Sequence, residues 1–388
     1  MKTRTLITLL AVLAALVIAG TLVQRRTDRP GSGDDLGTPL FRGLTMERVE
    51  AVVLSGPKGA VSLKKTPAGW VVVERGGYPA AFGKISDLAR RLRDAKVGRR
   101  FNASAETLDR LALRGPDESD APEEARAIRV ALKDDKGTLI AGLLVGRMRE
   151  GGPEKRLRGG RYVRLDGERE VCLVDQEFRG LSTNPAAWLK KELVRVPAEE
   201  VRSITCLENT GGPALFRVER REKGKDLELM GLGKGQRAQK ASLNRLGSAL
   251  SSLRLQDVLA SPEPSVAEDF SRTPVLEYRL FDGKVYRVRR VREGSKNNAR
   301  DLLRMEVAYE PPAVVDEQGK DKGRHRSPEE NVLEARQENA RLSPWVFVVG
   351  KWQADAFMTR KTDLLEKRPE PPEKKAPSRP STPSRPGS

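Results

Sequence analysis

The chain has 388 residues and a formal net charge of +18, with 72 Lys or Arg against 54 Asp or Glu. Its one histidine and two cysteines exclude metal sites built from His and Cys clusters and a disulfide-dense scaffold. A Ser-His-Asp or Cys-His catalytic group would depend on His325, which lies in a polar, charged run and is poorly placed for one. The length predicts two or three domains.

The positive charge is spread along the chain. Residues 1–30 and 367–388 each carry a net +4, and the remaining +10 is distributed over everything between them. Mixed-sign charge of this kind is typical of a solvated surface, whereas a nucleic-acid-binding protein concentrates its basic residues in a patch or stripe. We therefore expect no nucleic-acid partner.

The N-terminus contains an uncharged, mostly apolar run from Leu6 to Val23. At about 1.5 Å per residue this run is just long enough to cross a bilayer core as a helix. It is longer than the apolar core of a typical cleavable signal peptide, so an uncleaved anchor is favoured and cleavage is the alternative. We predict that 1–43 form a transmembrane anchor and tether to the inner membrane, with the body in the periplasm.

The body begins with a strand pattern that recurs later in the chain. Glu47–Leu54 and Glu199–Cys206 both alternate apolar and polar residues after an acidic start, as half-buried strands do. Further strands are predicted around Gly69–Glu74 and around Leu227–Met230. The recurrence predicts an internal repeat.

One helix is predicted in each repeat from apolar residues at i, i+3, i+4, i+7 and i+10. These positions are Ile85, Leu88, Ala89, Leu92 and Ala95 in the first repeat, and Leu243, Leu246, Gly247, Leu250 and Leu253 in the second.

Each helix is followed by two predicted hairpins. The first hairpins turn at Asp134–Gly137 and Phe281–Lys284, where glycine tolerates the positive φ of tight turns. Their strands are Ile128–Lys133 with Leu139–Val145, and Val275–Leu280 with Val285–Val288. The second hairpins are Tyr162–Leu165 with Glu170–Val174, and Trp345–Val349 with Trp352–Phe357.

These elements predict an α+β protein of two tandem repeats, each an antiparallel sheet covered by one amphipathic helix. The repeats span 44–197 and 198–366, and the second carries a charged insertion at 311–343. Residues 367–388 are rich in Pro, Ser and basic residues, so we predict a disordered tail.

Short motifs in the first repeat resemble a bacterial envelope family defined only as domain of unknown function 4340. They are, in order, Gly69-Trp70, Tyr78-Pro79-Ala80, Leu144-Val145-Gly146, Gly160-Arg161-Tyr162-Val163 and Ala187-Trp188-Leu189-Lys190-Lys191. The resemblance covers 44–195 well and the second repeat loosely, and Ala81 stands where the family often has Asp. It implies an anchored protein outside the cytoplasm, sometimes encoded beside gliding-motility-type ABC transporter components, and it supplies no catalytic residues.

Candidate sites are sparse. The loop Gly231–Gly235 is better interpreted as a plain connection than as an anion site, and the four tryptophans as core or interface residues. Adjacent acids such as Glu199 and Glu200 point to opposite faces of a strand. Cys172 and Cys206 are interpreted either as a disulfide between the repeats or as two buried thiols. We predict no catalytic, metal or cofactor-binding residues, and no small-molecule cofactor.

The leading hypothesis from sequence is a non-enzymatic, membrane-anchored periplasmic accessory or scaffold protein of an envelope complex, plausibly an ABC-type transporter or motility system. The alternative is a binding module for acidic envelope polysaccharide or lipid, suggested by the basic body. A third hypothesis is a hydrolase with a carboxylate site that the sequence does not identify.

Overall fold

The computed structural model describes residues 36–149, 159–260, 264–295, 298–311 and 327–366. Contacts divide the chain into two compact units, Met1–Lys191 with Leu255–Ser261, and Glu192–Arg254 with Pro262–Ser388. Residues 1–35 of the predicted anchor and tether, the tail and His325 lie outside the described residues. Residues 36–43, predicted as tether, instead pack on the first unit: Leu40 is 3% exposed, and Pro39 forms an antiparallel bridge with Lys96. No helix in the described part of the chain is both long and apolar enough to span a membrane.

The first unit is built on a nine-stranded antiparallel sheet, in the order β4-β3-β2-β1-β6-β7-β8-β9-β5. The strands are β1 (Ala51–Gly56), β2 (Gly59–Thr66), β3 (Gly69–Val72), β4 (Tyr78–Pro79), β5 (Val97–Asn102), β6 (Ile128–Lys133), β7 (Leu139–Met148), β8 (Arg161–Leu165) and β9 (Glu170–Val174). Strand β5 lies at an edge of the sheet and pairs with β9, and the paired residues, from Val97 with Val174 to Asn102 with Glu170, are far apart in the chain. This pairing is therefore non-local.

Two α-helices accompany this sheet. Helix α1 (Phe82–Asp94) buries Ile85, Leu88 and Leu92, three of the positions that the apolar spacing predicts. Helix α2 (Ala105–Leu111) was not predicted, because its seven residues are too few to show a helical period. Its N-terminus is capped by the Ser104 hydroxyl, which accepts a hydrogen bond from the Thr107 amide.

A small apolar cluster lies beside helix α2. Leu113, Ala127, Leu144 and Val171 are its buried members. Partly buried apolar residues pack against them, namely Phe101, Ala103, Leu108, Leu111 and Tyr162. Strand β7 is therefore buried on both faces, since Leu143, Leu144 and Val145 are all almost fully buried in succession.

A second nine-stranded antiparallel sheet follows, in the order β10-β14-β18-β17-β16-β15-β11-β12-β13. Its strands are β10 (Glu192–Val194), β11 (Val201–Leu207), β12 (Ala214–Glu219), β13 (Glu228–Leu229), β14 (Leu253–Leu259), β15 (Val275–Leu280), β16 (Lys284–Glu293), β17 (Arg300–Tyr309) and β18 (Val346–Val349). The helices are α3 (Lys240–Gly247), α4 (Pro264–Arg272), α5 (Pro328–Leu342) and α6 (Lys351–Ala354).

The two sheets have the same chain order over eight neighbouring strands. The order is β3-β2-β1-β6-β7-β8-β9-β5 in the first and β13-β12-β11-β15-β16-β17-β18-β14 in the second. Helix α1 precedes β5, and helix α3 correspondingly precedes β14. The described residues therefore form an α+β protein with two antiparallel sheets of matching topology.

The second unit differs from the sequence prediction at several places. Residues 352–357 are helical rather than a strand: α6 continues into a 3-10 helix at Asp355–Met358. The buried residues there, Gln353, Ala354, Ala356 and Phe357, follow a helical spacing, which alternating alanines disguise in the sequence. The hairpin partner of β18 is instead β17, which the sequence analysis missed.

Helix α3 ends at Gly247, earlier than its apolar pattern predicts, although Leu250 and Leu253 are still buried. Within the predicted insertion, α5 packs on β17. Its Asn339 side chain accepts a hydrogen bond from the Val307 amide at 2.9 Å, and Glu338 accepts one from the Tyr286 hydroxyl at 2.8 Å. Polar side chains thus help to hold α5 on the sheet. Because of this, apolar residues do not recur in its sequence with a clear helical spacing.

Candidate functional site

A cleft of about 570 Å³ opens in the first unit between helix α2 and the strands β5, β9 and β8. Its lining combines basic and aromatic side chains and includes no carboxylate. The side chains that matter for its chemistry are Arg99, Phe101, Arg110, Leu111, Arg149 and Tyr162.

Strand register brings part of this lining together. Arg99 lies opposite Leu173 in the β5–β9 pair, and Leu173 lies opposite Tyr162 in the β8–β9 pair, so the three side chains form one row across the sheet. Phe101 is two residues from Arg99 on the same strand and therefore lies on the same face.

The remaining basic side chains come from a helix and a strand end. Arg110 lies near the end of α2, and Arg149 follows β7 directly. The Arg149 amide donates a hydrogen bond to the Gly160 carbonyl at 2.8 Å, which ties the end of β7 to the segment entering β8. Arg99 and Arg110 are exposed and Arg149 is half-buried.

The side of the cleft at Leu111 is formed where the end of helix α2 lies very close to strand β7. A Cβ atom added at Gly146 would lie 2.4 Å from the Leu111 carbonyl oxygen and 2.8 Å from the Leu113 side chain. Only glycine therefore allows β7 and the end of α2 to come this close without movement.

The aromatic side chains of the cleft contact each other edge to face. The ring centroids of Phe101 and Tyr162 are 6.4 Å apart with an interplanar angle of 87°. The Arg99 guanidinium carbon lies 5.5 Å from the Phe101 ring centroid, within the range of a cation–π contact. The arginine is thus held against an aromatic surface while its donors stay available.

Arg99, Arg110 and Arg149 form no ion pair with any other described residue. Arg100, next along β5, behaves differently because it points to the opposite face, where it lies 3.3 Å from Glu170 and 3.6 Å from Glu168. The cleft consequently concentrates uncompensated positive charge on one face of the sheet.

A groove of about 450 Å³ in the second unit differs from this cleft, because its arginines Arg279 and Arg287 are paired with carboxylates. Glu277, almost buried, accepts hydrogen bonds from Arg287 at 2.9 Å and pairs with Arg279 at 2.6 Å. Glu310 pairs with the same two arginines, lying 2.6 Å from Arg287. Burial alone would raise the pKa of Glu310, but the hydrogen bonds and charges of Arg279 and Arg287 outweigh it and lower the pKa.

A buried ion pair lies elsewhere on the second sheet. Arg290 of β16 and Asp301 of β17 form it, with side chains 2% and 5% exposed. The Nε and Nη1 atoms of Arg290 make no hydrogen bond within the described residues. Breaking such a pair leaves a charge without compensation away from water.

Of the two interpretations of the cysteines, a disulfide or two buried thiols, the structure supports buried thiols. Cys172 and Cys206 are both buried and form no disulfide bond. Burial raises the pKa of the Cys206 thiol to about 11. Within the described residues, no group of three or more His, Cys, Asp or Glu side chains could hold a metal ion.

The sequence analysis did not find the arginine and aromatic cleft. Its residues are distributed between 99 and 173, and they meet only through the non-local pairing of β5 with β9. A weak signal was present in Arg99, Arg100 and Phe101, since basic residues beside an aromatic are typical of anion-binding surfaces.

A family model described as domain of unknown function (DUF4340) matches residues 70–271, just over half of the chain. The chain belongs to the DUF4340 family. The comparisons with curated proteins and with solved structures returned no match. The matched region begins at 70, later than the expected resemblance from 44, and it continues beyond 195, where the resemblance was expected to weaken. It includes every residue of the cleft.

Most of the DUF4340 motifs have structural roles. Trp188 is buried, and its indole N–H donates to the Ser182 carbonyl at 2.8 Å. Tyr78 is 2% exposed and donates from its hydroxyl to the Lys190 carbonyl at 3.4 Å. Gly146 allows the close approach beside Leu111, and Tyr162 lines the cleft. The motifs therefore build the first unit, and one of them also contributes to its cleft.

Proposed function

We propose that this protein is a membrane-anchored accessory protein of the bacterial envelope, which acts by binding an anionic component rather than by catalysis. In this proposal the segment 6–23 is a single transmembrane helix in the inner membrane, and two tandem repeats form a periplasmic body. The complex that it serves is an ABC-type transporter or motility system.

The observation that carries the proposal is the uncompensated charge of the first unit's cleft. Three arginines line it next to an aromatic pair, and no carboxylate in the described part of the chain lies among the lining residues. A group of unpaired guanidiniums costs electrostatic repulsion, which an anionic partner relieves. Concave sites with aromatic walls and a few polar groups are typical of ligand binding.

The ionisable groups elsewhere in the described residues favour binding over chemistry. Glu310 has a lowered pKa, so it is ionised at neutral pH and is a poor general acid. Cys206 has a pKa of about 11, so its thiol is a poor nucleophile there. These groups are held in states that stabilise the fold.

Protein contact through the second unit is the second candidate role. Leu215 on β12, and Met230 and Leu232 after β13, are large apolar side chains that are 40–47% exposed near the sheet edge. Exposed apolar residues along an edge strand are a feature of protein interaction surfaces. This surface supports the scaffold form of the proposal.

Fractionation of cells that express the full chain tests the anchor. We expect the protein to stay in the membrane pellet after an alkaline carbonate wash, and a variant lacking residues 2–26 to become soluble. External protease should cleave the body in spheroplasts while a cytoplasmic marker stays intact. Recovery of the full chain as a soluble cytoplasmic protein would refute the proposal.

In-cell crosslinking tests the proposed complex. A photoreactive residue in place of Met230 is expected to capture a membrane or periplasmic component that co-purifies from membranes. The same residue in place of Lys361, on a different surface segment, is the matched control. Identical products from both positions would contradict a specific contact at the edge of β12 and β13.

A further inference from the structure

We infer that the first unit's cleft is a binding site for an acidic saccharide, with the Arg99, Arg110 and Arg149 guanidiniums on its carboxylates and the Phe101 and Tyr162 rings beside its sugar ring. This inference rests on the proposed function and names the ligand class and its residues.

Charge is the first step of the argument. The three guanidiniums come from three separate elements and line one cleft, and none has a carboxylate partner in the described chain. Arginine presents a planar fork of donors that matches a carboxylate with two parallel hydrogen bonds. A ligand with carboxylates at more than one position would therefore engage separate arginines.

The aromatic surface is the second step. Tyr162 is half-buried, and its hydroxyl makes no hydrogen bond with any other described residue, so it can serve as a donor or acceptor for a ligand hydroxyl. Phe101, also half-buried, adds a flat apolar face that is partly covered by Arg99. A sugar ring offers both hydroxyl groups and apolar C–H faces to such a surface.

Shape and size are the third step. The cleft volume of about 570 Å³ is in the range of sites for discrete ligands, roughly 300–1,000 Å³. Attraction to an anionic lipid surface needs a cluster of basic residues near the bilayer but no concave wall and no aromatic pair. The concave, partly aromatic lining therefore favours a saccharide over a lipid headgroup.

The test is a titration of the purified full chain in detergent with trigalacturonate, followed by calorimetry. Maltotriose, which has the same number of sugar rings but no carboxylate, is the neutral probe. Inorganic phosphate and phosphatidylglycerol vesicles are the small-anion and lipid probes. We expect saturable, salt-sensitive binding of trigalacturonate and at least 10-fold weaker binding of the other three probes.

Variants connect the binding to the cleft. Arg99→Gln, Arg110→Gln and Arg149→Gln are each expected to weaken trigalacturonate binding by about 10-fold, the effect of one lost charge-assisted hydrogen bond. Tyr162→Phe keeps the ring and is expected to cost about 3-fold through the lost hydroxyl. Arg93→Gln removes an exposed arginine of α1 that pairs with Asp94, and it should bind like the wild type.

The inference is overturned if a variant that combines Arg99→Gln, Arg110→Gln and Arg149→Gln binds trigalacturonate as tightly as the wild type, or if maltotriose binds as tightly as trigalacturonate. Tighter binding of vesicles or phosphate through the same arginines would replace the saccharide with a lipid or a small anion. Fractionation tests the proposed function separately. A protein that is anchored in the membrane but does not bind trigalacturonate would contradict the inference about the cleft and leave the proposed anchor unaffected.

Discussion

The two units use arginine in opposite ways. In the first unit, Arg99, Arg110 and Arg149 line a cleft without acidic partners among the described residues, whereas in the second, Arg279 and Arg287 are held by Glu277 and Glu310. The sheets have matching strand order, so topology does not explain the difference. Cross-strand register explains it for the strand residues, because Glu277 of β15 lies directly opposite Arg287 of β16 while Arg99 of β5 lies opposite Leu173 of β9. Arg110 and Arg149 lie outside the strands, on helix α2 and directly after β7.

Surplus positive charge therefore indicates a binding site only where nearby carboxylates do not neutralise it. Paired arginines in the second unit contribute to the fold, and unpaired ones in the first are available to a ligand. Four predictions test this distinction, beginning with the largest expected effect.

Asp301→Ala should destabilise the second unit most. It removes the buried carboxylate partner of Arg290 and leaves only the half-exposed Asp355 carboxylate, 3.9 Å away, so the cost should approach the roughly 3–5 kcal/mol of a broken buried pair. Urea unfolding measures the loss. Arg300→Ala is the matched control on the same two strands, since its pair with Glu293 is exposed and is worth below about 1 kcal/mol. Equal losses in both variants would show that burial of the pair does not matter.

Gly146→Ala should destabilise the first unit through packing rather than charge. The added methyl group would meet the Leu111 carbonyl oxygen at 2.4 Å, and the shift needed to relieve this costs about 1–3 kcal/mol. Thermal unfolding measures it. Gly83→Ala in α1 meets no atom within 4 Å and should be neutral or slightly stabilising. A neutral Gly146→Ala would argue against the close approach of β7 and α2.

Arg287→Gln and Arg110→Gln compare the units directly. The first removes a partner of Glu277 and Glu310 and should cost about 1–3 kcal/mol of stability. The second removes an unpaired arginine of the cleft and should change stability by at most about 0.5 kcal/mol. Chemical denaturation of both variants decides the point. A large loss in Arg110→Gln would mean that the cleft arginines are structural.

The smallest of the four effects is expected for the contribution of Glu310 to the pH dependence of stability. Because the folded-state pKa of Glu310 is lowered, its ionised form adds stability above the unfolded-state pKa of about 4.3, and this is lost as the pH falls through the lower folded value. Its side chain is 38% exposed, so solvent screening keeps the contribution below about 1 kcal/mol.

Melting temperatures between pH 7 and pH 3 measure this contribution. Glu310→Gln should be less stable than the wild type at pH 7 and should lose the difference on acidification. A difference that stays constant down to pH 3 would show that the carboxylate charge is not responsible.

Local patterns predicted much of the fold. Apolar spacing located α1, and alternation with glycine turns located the pairs β6–β7 and β15–β16, because each signal lies within a short stretch of chain. The strand prediction at 352–357 was wrong, since such a short segment with alternating alanines does not distinguish a helix from a strand. The edge strand β5 and helix α2 were missed for lack of a periodic signal.

Composition and local pattern establish that the chain has one histidine, two cysteines and a surplus of basic residues, and that its apolar residues are spaced for sheets and helices. Only the tertiary structure decided which arginines are neutralised. That choice depends on strand pairing between distant residues, as between β5 and β9, and on which face each side chain points to. The composition gives the number of charged residues, whereas the fold determines whether each arginine lies next to a carboxylate.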